Sequence, residues 1–107
     1  SITAVENIEA LLHFEEVDGV MVGPYDLSGS LGVPGEIYHE KVQKAVNVVY
    51  EKCIKYGKSC GPHELEPTID SVKDSFKSGS SFVVLSSDVF LLWKWGENMQ
   101  KLISACR

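Results

Sequence analysis

Short apolar segments that alternate with amphipathic helical patterns are the feature that most restricts the fold of this chain. The segments Val17 to Val22 and Ser81 to Ser86 each consist mainly of strand-forming apolar residues. Strands of this kind are usually covered on both faces, as they are in parallel sheets. Between them, apolar residues recur at the three- and four-residue spacing of a helix. The pattern therefore predicts an α/β fold in which helices connect parallel strands.

The predicted order of elements is helix, strand, long loop, helix, strand, helix, strand, helix. Thr3 is the expected N-cap of the first helix, with Glu6 as its partner in a capping box. The expected elements are a helix from Ala4 to Phe14, a strand from Val17 to Val22, a helix from Val42 to Ile54 that Gly57 ends, a strand from Lys58 to His63, a helix that begins at Pro67 and turns Ile69, Val72 and Phe76 inward, a buried strand from Ser81 to Ser86, and a helix from Asp88 to Cys106.

Three strands are too few to close a barrel of eight, so the sheet is either small and open or part of a barrel. The chain of 107 residues is expected to be a single segment, and its helical pattern starts almost at Ser1, which suggests a chain cut inside a larger protein. Val89, Phe90 and Trp93 add apolar surface beside the main stripe of the last helix. A helix that is apolar nearly all round is buried on more than one side. Its partner would be a missing half or another subunit, whereas the simpler alternative is an exposed tryptophan or two.

Charge and composition exclude several classes of function. The net charge is −5 and the ten Lys and Arg residues are scattered, which argues against nucleic-acid binding because that function needs a basic face. No apolar run approaches the roughly 20 residues that cross a bilayer, and the first residues lack a signal-peptide layout. The three cysteines match no zinc-binding spacing. Reduced thiols in a cytoplasmic protein are the expectation.

The segment DGVMVGPYDLSGSLGVPGE, from Asp18 to Glu36, is the best candidate for a functional site. A strand opens into about a dozen loop residues in which Asp26 stands among glycines and hydroxyls. In parallel α/β folds, ligands bind where the strands end. A carboxylate at such an end is a hard oxygen ligand suited to Mg²⁺ or Mn²⁺. The alternative, equally open on composition, is that Asp26 is a helix N-cap or turn residue and the glycines only shape the loop.

Other polar patterns in the sequence are weaker indications of a functional site. The glycines are followed by no Gly-Lys-Ser/Thr and form no dinucleotide fingerprint. Cys60 and His63 are three residues apart, and two ligands do not make a metal site. Glu64 and Glu66 are expected to form the solvated first turn of a helix.

The run VDGVMVGPYDLSGSLGVPGE resembles the signature of the metal-dependent pyruvate aldolases of the 4-hydroxy-2-oxoheptanedioate aldolase/citrate lyase β-subunit family. AVENIEALL resembles the helix that follows the fifth strand of that family, and SFVVLSSDVFLLWKW resembles its eighth strand and last helix. The resemblance covers nearly the whole chain. It implies the C-terminal part, about strands six to eight, of a (β/α)8 TIM barrel.

The resemblance also implies a division of roles. Asp26 would be one of two carboxylates that bind a divalent metal, Mg²⁺ or Mn²⁺ and possibly Co²⁺ or Zn²⁺. The second carboxylate and the acid/base residues belong to the missing N-terminal half, so no catalytic residue is expected within this chain. The residues implied to bind the 2-oxo acid substrate are Gly23, Pro24, Tyr25, Asp26 and Ser28. Phe90 and Leu91 would line the pocket of a neighbouring subunit in a homo-oligomer, which the family implies to be a hexamer.

The implied reaction is the cleavage of 4-hydroxy-2-oxo acids to pyruvate and an aldehyde. Two alternatives stay open. One is a catalytically silent half-barrel that serves as an interaction module. The other is an acyl-CoA lyase of the same superfamily, which the lack of a visible basic cluster for a CoA phosphate disfavours.

Overall fold

A computed structural model describes all residues from 1 to 107. Its three strands form one parallel sheet in the order β1-β2-β3, which confirms the predicted α/β class. The elements are α1 (Ile2–Glu6), α2 (Ile8–Leu12), β1 (Gly19–Val22), α3 (Pro24–Ser30), α4 (Glu40–Lys55), β2 (Ser59–Glu64), α5 (Ile69–Lys77), β3 (Val84–Leu85) and α6 (Asp88–Ala105).

The two faces of the sheet differ in burial. Val22 of β1 and Cys60 of β2 are buried in the core with α2, α3 and α4, whereas Met21, which points to the other face, is 53% exposed. Side chains alternate between the faces of a strand, so one face is covered by helices and the other is open. The core consists of ten residues: Ile8, Leu12, Val22, Leu27, Val42, Ala45, Val49, Tyr50, Cys53 and Cys60.

Helix α4 confirms the clearest sequence pattern. It begins two residues before the predicted start and ends one residue after the predicted end. Most of its apolar stripe is buried, although Ile54 at its end is 63% exposed. Gly57 has a φ of 65°, the left-handed conformation in which glycine follows a helix.

The N-terminal helix departs from the prediction in two ways. Ser1 and not Thr3 is the N-cap, because the Ser1 hydroxyl accepts a hydrogen bond from the amide of Ala4 at 3.3 Å. The helix is also interrupted at Asn7, whose backbone has φ −104° and ψ 14°. The Asn7 side-chain amide donates to the Thr3 carbonyl at 2.8 Å, and this carbonyl also accepts from the Asn7 backbone amide at 3.2 Å.

The prediction for α5 was wrong at its start and on its inner face. Thr68 is the N-cap and forms a capping box with Ser71, so Pro67 precedes the helix. Of the three residues predicted to face inward, Ile69 is 75% exposed and Phe76 is 50% exposed, and only Val72 is partly buried.

Strand β3 is much shorter than the predicted strand from Ser81 to Ser86. The Ser81 amide donates to the Cys60 carbonyl at 2.8 Å, and the Ser81 hydroxyl accepts from the Cys60 amide at 3.0 Å. These local bonds replace the regular ladder, so pairing with β2 is limited to Val84 and Leu85.

Helix α6 lies largely outside the packed core. None of its residues is buried, and Trp95 is 63% exposed. No helix of the chain has both the length and the apolar character that crossing a bilayer requires.

Ser86, directly after β3, is held in a strained conformation. Its φ of 56° is the only positive value at a non-glycine residue. Its amide donates to the Glu64 carbonyl at 2.7 Å, and its carbonyl accepts from Nε2 of His63 at 2.7 Å. Its buried hydroxyl has no hydrogen-bond partner.

We therefore expect Ser86→Gly to raise the free energy of unfolding by about 1 kcal/mol, because glycine relieves the strain and removes a buried polar group. Urea denaturation measures the change. Ser78→Gly is the matched control, since Ser78 is exposed and has a φ of −77°. Equal effects of the two substitutions would contradict the assignment of strain to Ser86.

Candidate functional site

Asp26 lies in the first turn of α3, immediately beyond the C-terminal end of β1. The prediction of a long loop after this strand is wrong for the first half of the loop, because Pro24 to Ser30 are helical. Pro24 is the first helical residue, where its fixed φ favours helix and its missing N–H costs nothing. The helix therefore fixes Asp26 at the mouth of the strand.

The Asp26 carboxylate is free of competing partners. It is exposed, and neither a hydrogen bond nor an ion pair engages it. A Cβ atom added to Gly23 would lie 3.1 Å from Oδ2 of Asp26, so the missing side chain of Gly23 leaves room for the carboxylate. Gly23 is the N-cap residue of α3, so the alternative in which Asp26 caps the helix is wrong. A free carboxylate beside a helix N-terminus is available for a cation.

The glycines that follow α3 shape the backbone, as the alternative from composition expected. Gly32 and Gly35 have φ of 76° and 81°, values that side-chain-bearing residues rarely adopt. Ser28 is fully buried, and its hydroxyl donates to the Tyr25 carbonyl at 2.6 Å while it accepts from the Gly35 amide at 3.0 Å. Through these two hydrogen bonds, Ser28 connects the first turn of α3 to the loop that follows this helix.

The residues present fit a divalent metal as a partial site. No group of three or more His, Cys, Asp or Glu side chains converges anywhere in the chain. Mg²⁺ binds through one or two carboxylates and completes its shell with water and substrate oxygens. Asp26 alone would thus be one ligand of a site that other residues complete.

Phe90 and Leu91 lie in the first turn of α6, which begins after the N-cap Ser87. Phe90 is half-buried and packs near Trp93, with ring centroids 5.5 Å apart, and Leu91 is exposed. These two side chains provide apolar surface near the C-terminal end of β3.

Glu64 is a polar feature that the sequence reasoning missed. It is the last residue of β2, and Glu66 precedes the N-cap Thr68 of α5, so neither residue lies in the predicted first turn of a helix. Its two carboxylate oxygens accept hydrogen bonds from the hydroxyls of Ser71 and Ser75, each at 2.6 Å. The spacing of these serines was the available signal, because residues four apart lie on one face of a helix.

Glu64 borders a cavity of about 580 Å³ at the C-terminal edge of the sheet. The cavity begins at Pro24 and Tyr25, the two residues before Asp26, and continues between α4 and α5. Its volume falls within the range typical of small-molecule pockets.

Cys60 and His63 do not form a metal pair. Cys60 lies in the core and its thiol donates to the Gly79 carbonyl at 3.7 Å, whereas the His63 ring bonds to Ser86. Burial raises the pKa of Cys60, and it raises the pKa of the neighbouring Cys53 to about 11.

A thiol reagent at neutral pH should therefore react rapidly with one cysteine per folded chain. Cys106 is exposed, whereas Cys53 and Cys60 are buried and protonated. Ellman's reagent should show one fast thiol, and all three after denaturation. Three fast thiols in the native chain would contradict the buried placement.

A parallel α/β sheet with a free carboxylate at a strand mouth has the layout of TIM-barrel-type enzymes. The HpcH/HpaI aldolase from Desulfitobacterium hafniense DCB-2 has this fold and superposes with a TM-score of 0.82 at 29% identity. The match covers 95% of this chain and 39% of that protein. The chain thus corresponds to about two fifths of a TIM-barrel-type protein.

The HpcH/HpaI aldolase/citrate lyase family model matches residues 1–94, so the chain belongs to this family. A 5-keto-4-deoxy-D-glucarate aldolase of Klebsiella pneumoniae is 38% identical over 87 residues, which are 81% of this chain. A 2-keto-3-deoxy-L-rhamnonate aldolase of Salmonella dublin is 35% identical over 88 residues, which are 82% of it. The chain spans about a third of the length of these relatives, at 33% and 32%.

Proposed function

We propose that residues 1–107 form one segment, about strands six to eight, at the C-terminal end of a metal-dependent aldolase barrel. The complete barrel would cleave 4-hydroxy-2-oxo acids to pyruvate and an aldehyde. The observation that carries the proposal is the free Asp26 carboxylate at the mouth of β1. The similarity to two keto-deoxy sugar acid aldolases supports the reaction class.

In this proposal Asp26 holds a divalent ion, Mg²⁺ or Mn²⁺ and possibly Co²⁺ or Zn²⁺. The ion would supply Lewis-acid stabilisation of the negative charge that develops on the 2-oxo acid. Gly23 contributes the space that lets the Asp26 carboxylate lie beside the start of the helix. Pro24 holds the strand-to-helix turn rigid.

The first-turn amides of α3 have a separate role. The first N–H groups of a helix have no intrahelical acceptor, so those of Tyr25 and Asp26 are available to the substrate carboxylate. Ser28 positions this turn through its bond to the Tyr25 carbonyl. The chain thus orients the pyruvate half of the substrate beside the metal.

The remaining machinery would come from elsewhere. We propose that an N-terminal barrel half supplies the second metal ligand and the proton-transfer groups, so that the isolated chain is inactive. The complete protein would be a cytoplasmic homo-oligomer, in which Phe90 and Leu91 border the pocket of a neighbouring subunit.

Paramagnetic Mn²⁺ tests the assignment of Asp26 in the chain as it stands. We expect Mn²⁺ to broaden amide resonances most strongly around Pro24 to Leu27, and pyruvate to strengthen the effect. Asp26→Asn should abolish this local broadening. Asp18→Asn is the matched control, because Asp18 is an exposed aspartate at the opposite end of β1. Equal broadening at all acidic residues, or broadening that survives in Asp26→Asn, would reject the metal site.

A catalytically silent interaction module is the second candidate, and the uncovered surface of α5 and α6 favours it. Ile69 on α5 and Leu92 on α6 are each more than two thirds exposed. Both candidates expect a partner to cover this surface. They differ at Asp26, since a silent module would bind its partner without any dependence on divalent metal.

A further inference from the structure

The cavity of about 580 Å³ between α4 and α5 is separate from the proposed metal site. Asp26 is not among its lining residues. Pro62 and Glu64 line it from the helix-covered face of the sheet, the face on which Cys60 is buried, because side chains two residues apart on a strand share a face. The cavity is therefore available to a ligand other than the proposed substrate.

The charged side chains that line this cavity are all carboxylates. Glu64, Glu66 and Asp74 are among the lining residues, and neither lysine nor arginine is. Glu66 and Asp74 have cations nearby, since Nζ of Lys94 is 3.5 Å from Glu66 and Nζ of Lys77 is 3.2 Å from Asp74. The partly buried Glu64 has no cationic partner, because its hydrogen bonds come from hydroxyl groups. An unpaired anion in a cavity favours a ligand that carries a positive charge.

The Glu64 carboxylate is held in position before any ligand arrives. The hydroxyls of Ser71 and Ser75 donate to its two oxygens, each at 2.6 Å. Ser71 is itself fixed, because its hydroxyl accepts from the Thr68 amide at 2.9 Å in the capping box of α5. Each carboxylate oxygen has a second lone pair, so Glu64 can accept from a ligand N–H without losing these bonds. An acceptor that is already ordered lowers the entropic cost of binding.

Aromatic rings provide a second feature that attracts cations. Tyr25, Tyr38 and Tyr50 line the same cavity. The face of an aromatic ring is negative and attracts an ammonium group, and the ring also contacts apolar parts of a ligand. A bare metal ion fits less well, because no group of three or more His, Cys, Asp or Glu side chains converges here. The combination of rings and separated carboxylates indicates an organic cation.

We propose that this cavity binds an organic monocation that combines a primary ammonium group with an apolar or aromatic body. The ammonium group donates to Glu64, and the body lies against the tyrosine rings and the apolar side chains of Val46 and Leu65. The proposal goes beyond the aldolase function and does not depend on it, since neither Asp26 nor a metal ion takes part.

Three probes that share a phenyl ring test the proposal: 2-phenylethylammonium, 2-phenylethanol and phenylacetate. NMR titration of the ¹⁵N-labelled chain locates each probe through the amide resonances that shift. We expect the ammonium probe to bind with a Kd on the order of 1 mM and to shift the resonances of Glu64, Ser71 and Ser75. The alcohol should bind at least about fivefold more weakly, and phenylacetate more weakly still, because only the cation pairs with Glu64. Addition of Mg²⁺ should leave the order of the three probes unchanged.

Two substitutions at the cavity should weaken binding of the ammonium probe at least about fivefold. Glu64→Gln removes the charge and keeps an oxygen for the two serine hydroxyls. Ser78→Lys adds a competing cation at the exposed C-cap of α5 and leaves the hydrogen bonds of Glu64 in place. Glu51→Gln is the matched control, because Glu51 is an exposed residue of α4 outside the cavity lining and its loss of charge should leave the Kd unchanged.

Preference for the cation, weakened by Glu64→Gln and Ser78→Lys but not by Glu51→Gln, supports the proposal. Equal affinity for the ammonium and the alcohol would show an apolar site without charge selection and would overturn it. Resonance shifts confined to the uncovered surface of α5 and α6, affinity that both cavity variants retain, or no binding at all would overturn it as well. None of these results bears on the aldolase function.

Discussion

Asp26→Asn in the complete barrel should lower kcat/KM for retro-aldol cleavage on the order of 10³-fold. Asparagine keeps the size of the side chain but removes the negative charge that would hold the divalent ion. The Asp26 side chain bonds to no other residue, so its replacement should leave the fold intact. Steady-state kinetics with a 4-hydroxy-2-oxo acid, at saturating Mn²⁺, measure the loss.

The stability of the variant is the necessary companion measurement. Asp26→Asn should melt within a few degrees of the parent without metal, since Asp26 has no side-chain partner and a carboxylate in the first turn of a helix contributes only about 0.3–1 kcal/mol. Asp18→Asn should retain full activity. Undiminished turnover by Asp26→Asn would refute its role as a metal ligand, whatever the metal content of the protein.

Gly61→Ala should lower the free energy of unfolding by roughly 3 kcal/mol, at the upper end of the effects of overpacking. A Cβ atom at this position would lie 1.9 Å from the carbonyl oxygen of Phe82, a backbone atom that cannot rotate away. The strand β2 and the segment before β3 would have to separate. Urea denaturation followed by circular dichroism measures the change.

Gly29→Ala provides the contrast for Gly61→Ala. Gly29 lies within α3 and an added Cβ would meet nothing within 4 Å. Alanine there should stabilise the chain by up to about 1 kcal/mol, because it is the better helix former. If both substitutions destabilise the chain equally, the close approach at Gly61 is not the cause.

The sequence predicted the bounds of an element best where its apolar pattern and the signal for its end agreed. In α4, an unbroken apolar stripe and a terminal glycine agreed, and the observed bounds differ from the predicted ones by one or two residues. The parallel sheet also followed from pattern, because strand and helix segments alternate. Asp26 was located correctly at the end of β1 for the same reason.

Predictions were wrong where a local hydrogen bond or a missing neighbour decided the outcome. Glycines after Asp26 indicated an extended loop, whereas Pro24 starts a helix that continues through Gly29. At the first helix, both Ser1 and Thr3 have hydroxyl side chains that can cap a helix, and Ser1 is the observed N-cap. The stripe of Ile69 and Phe76 is a real pattern, but a stripe predicts burial only if the chain contains its partner.

The site could be predicted only in part, because its contributors are distant in sequence. The pairing of Glu64 with Ser71 and Ser75 depends on how α5 packs against the end of β2. The strain at Ser86 depends on two bonds to β2, through Glu64 and His63. Neither can be read from spacing along a single element.

The order β1-β2-β3 has a consequence for any attempt to reconstitute the proposed complete barrel from pieces. Both outer strands present an unbonded side, so an eight-stranded cylinder closes only if one complement of five strands joins the two sides at once. Once the complement has paired with one outer strand, its pairing with the other outer strand is intramolecular. The effective concentration for that second step is therefore higher. Assembly should thus be cooperative, and peptides that supply one strand each should fail where a single complementary chain succeeds.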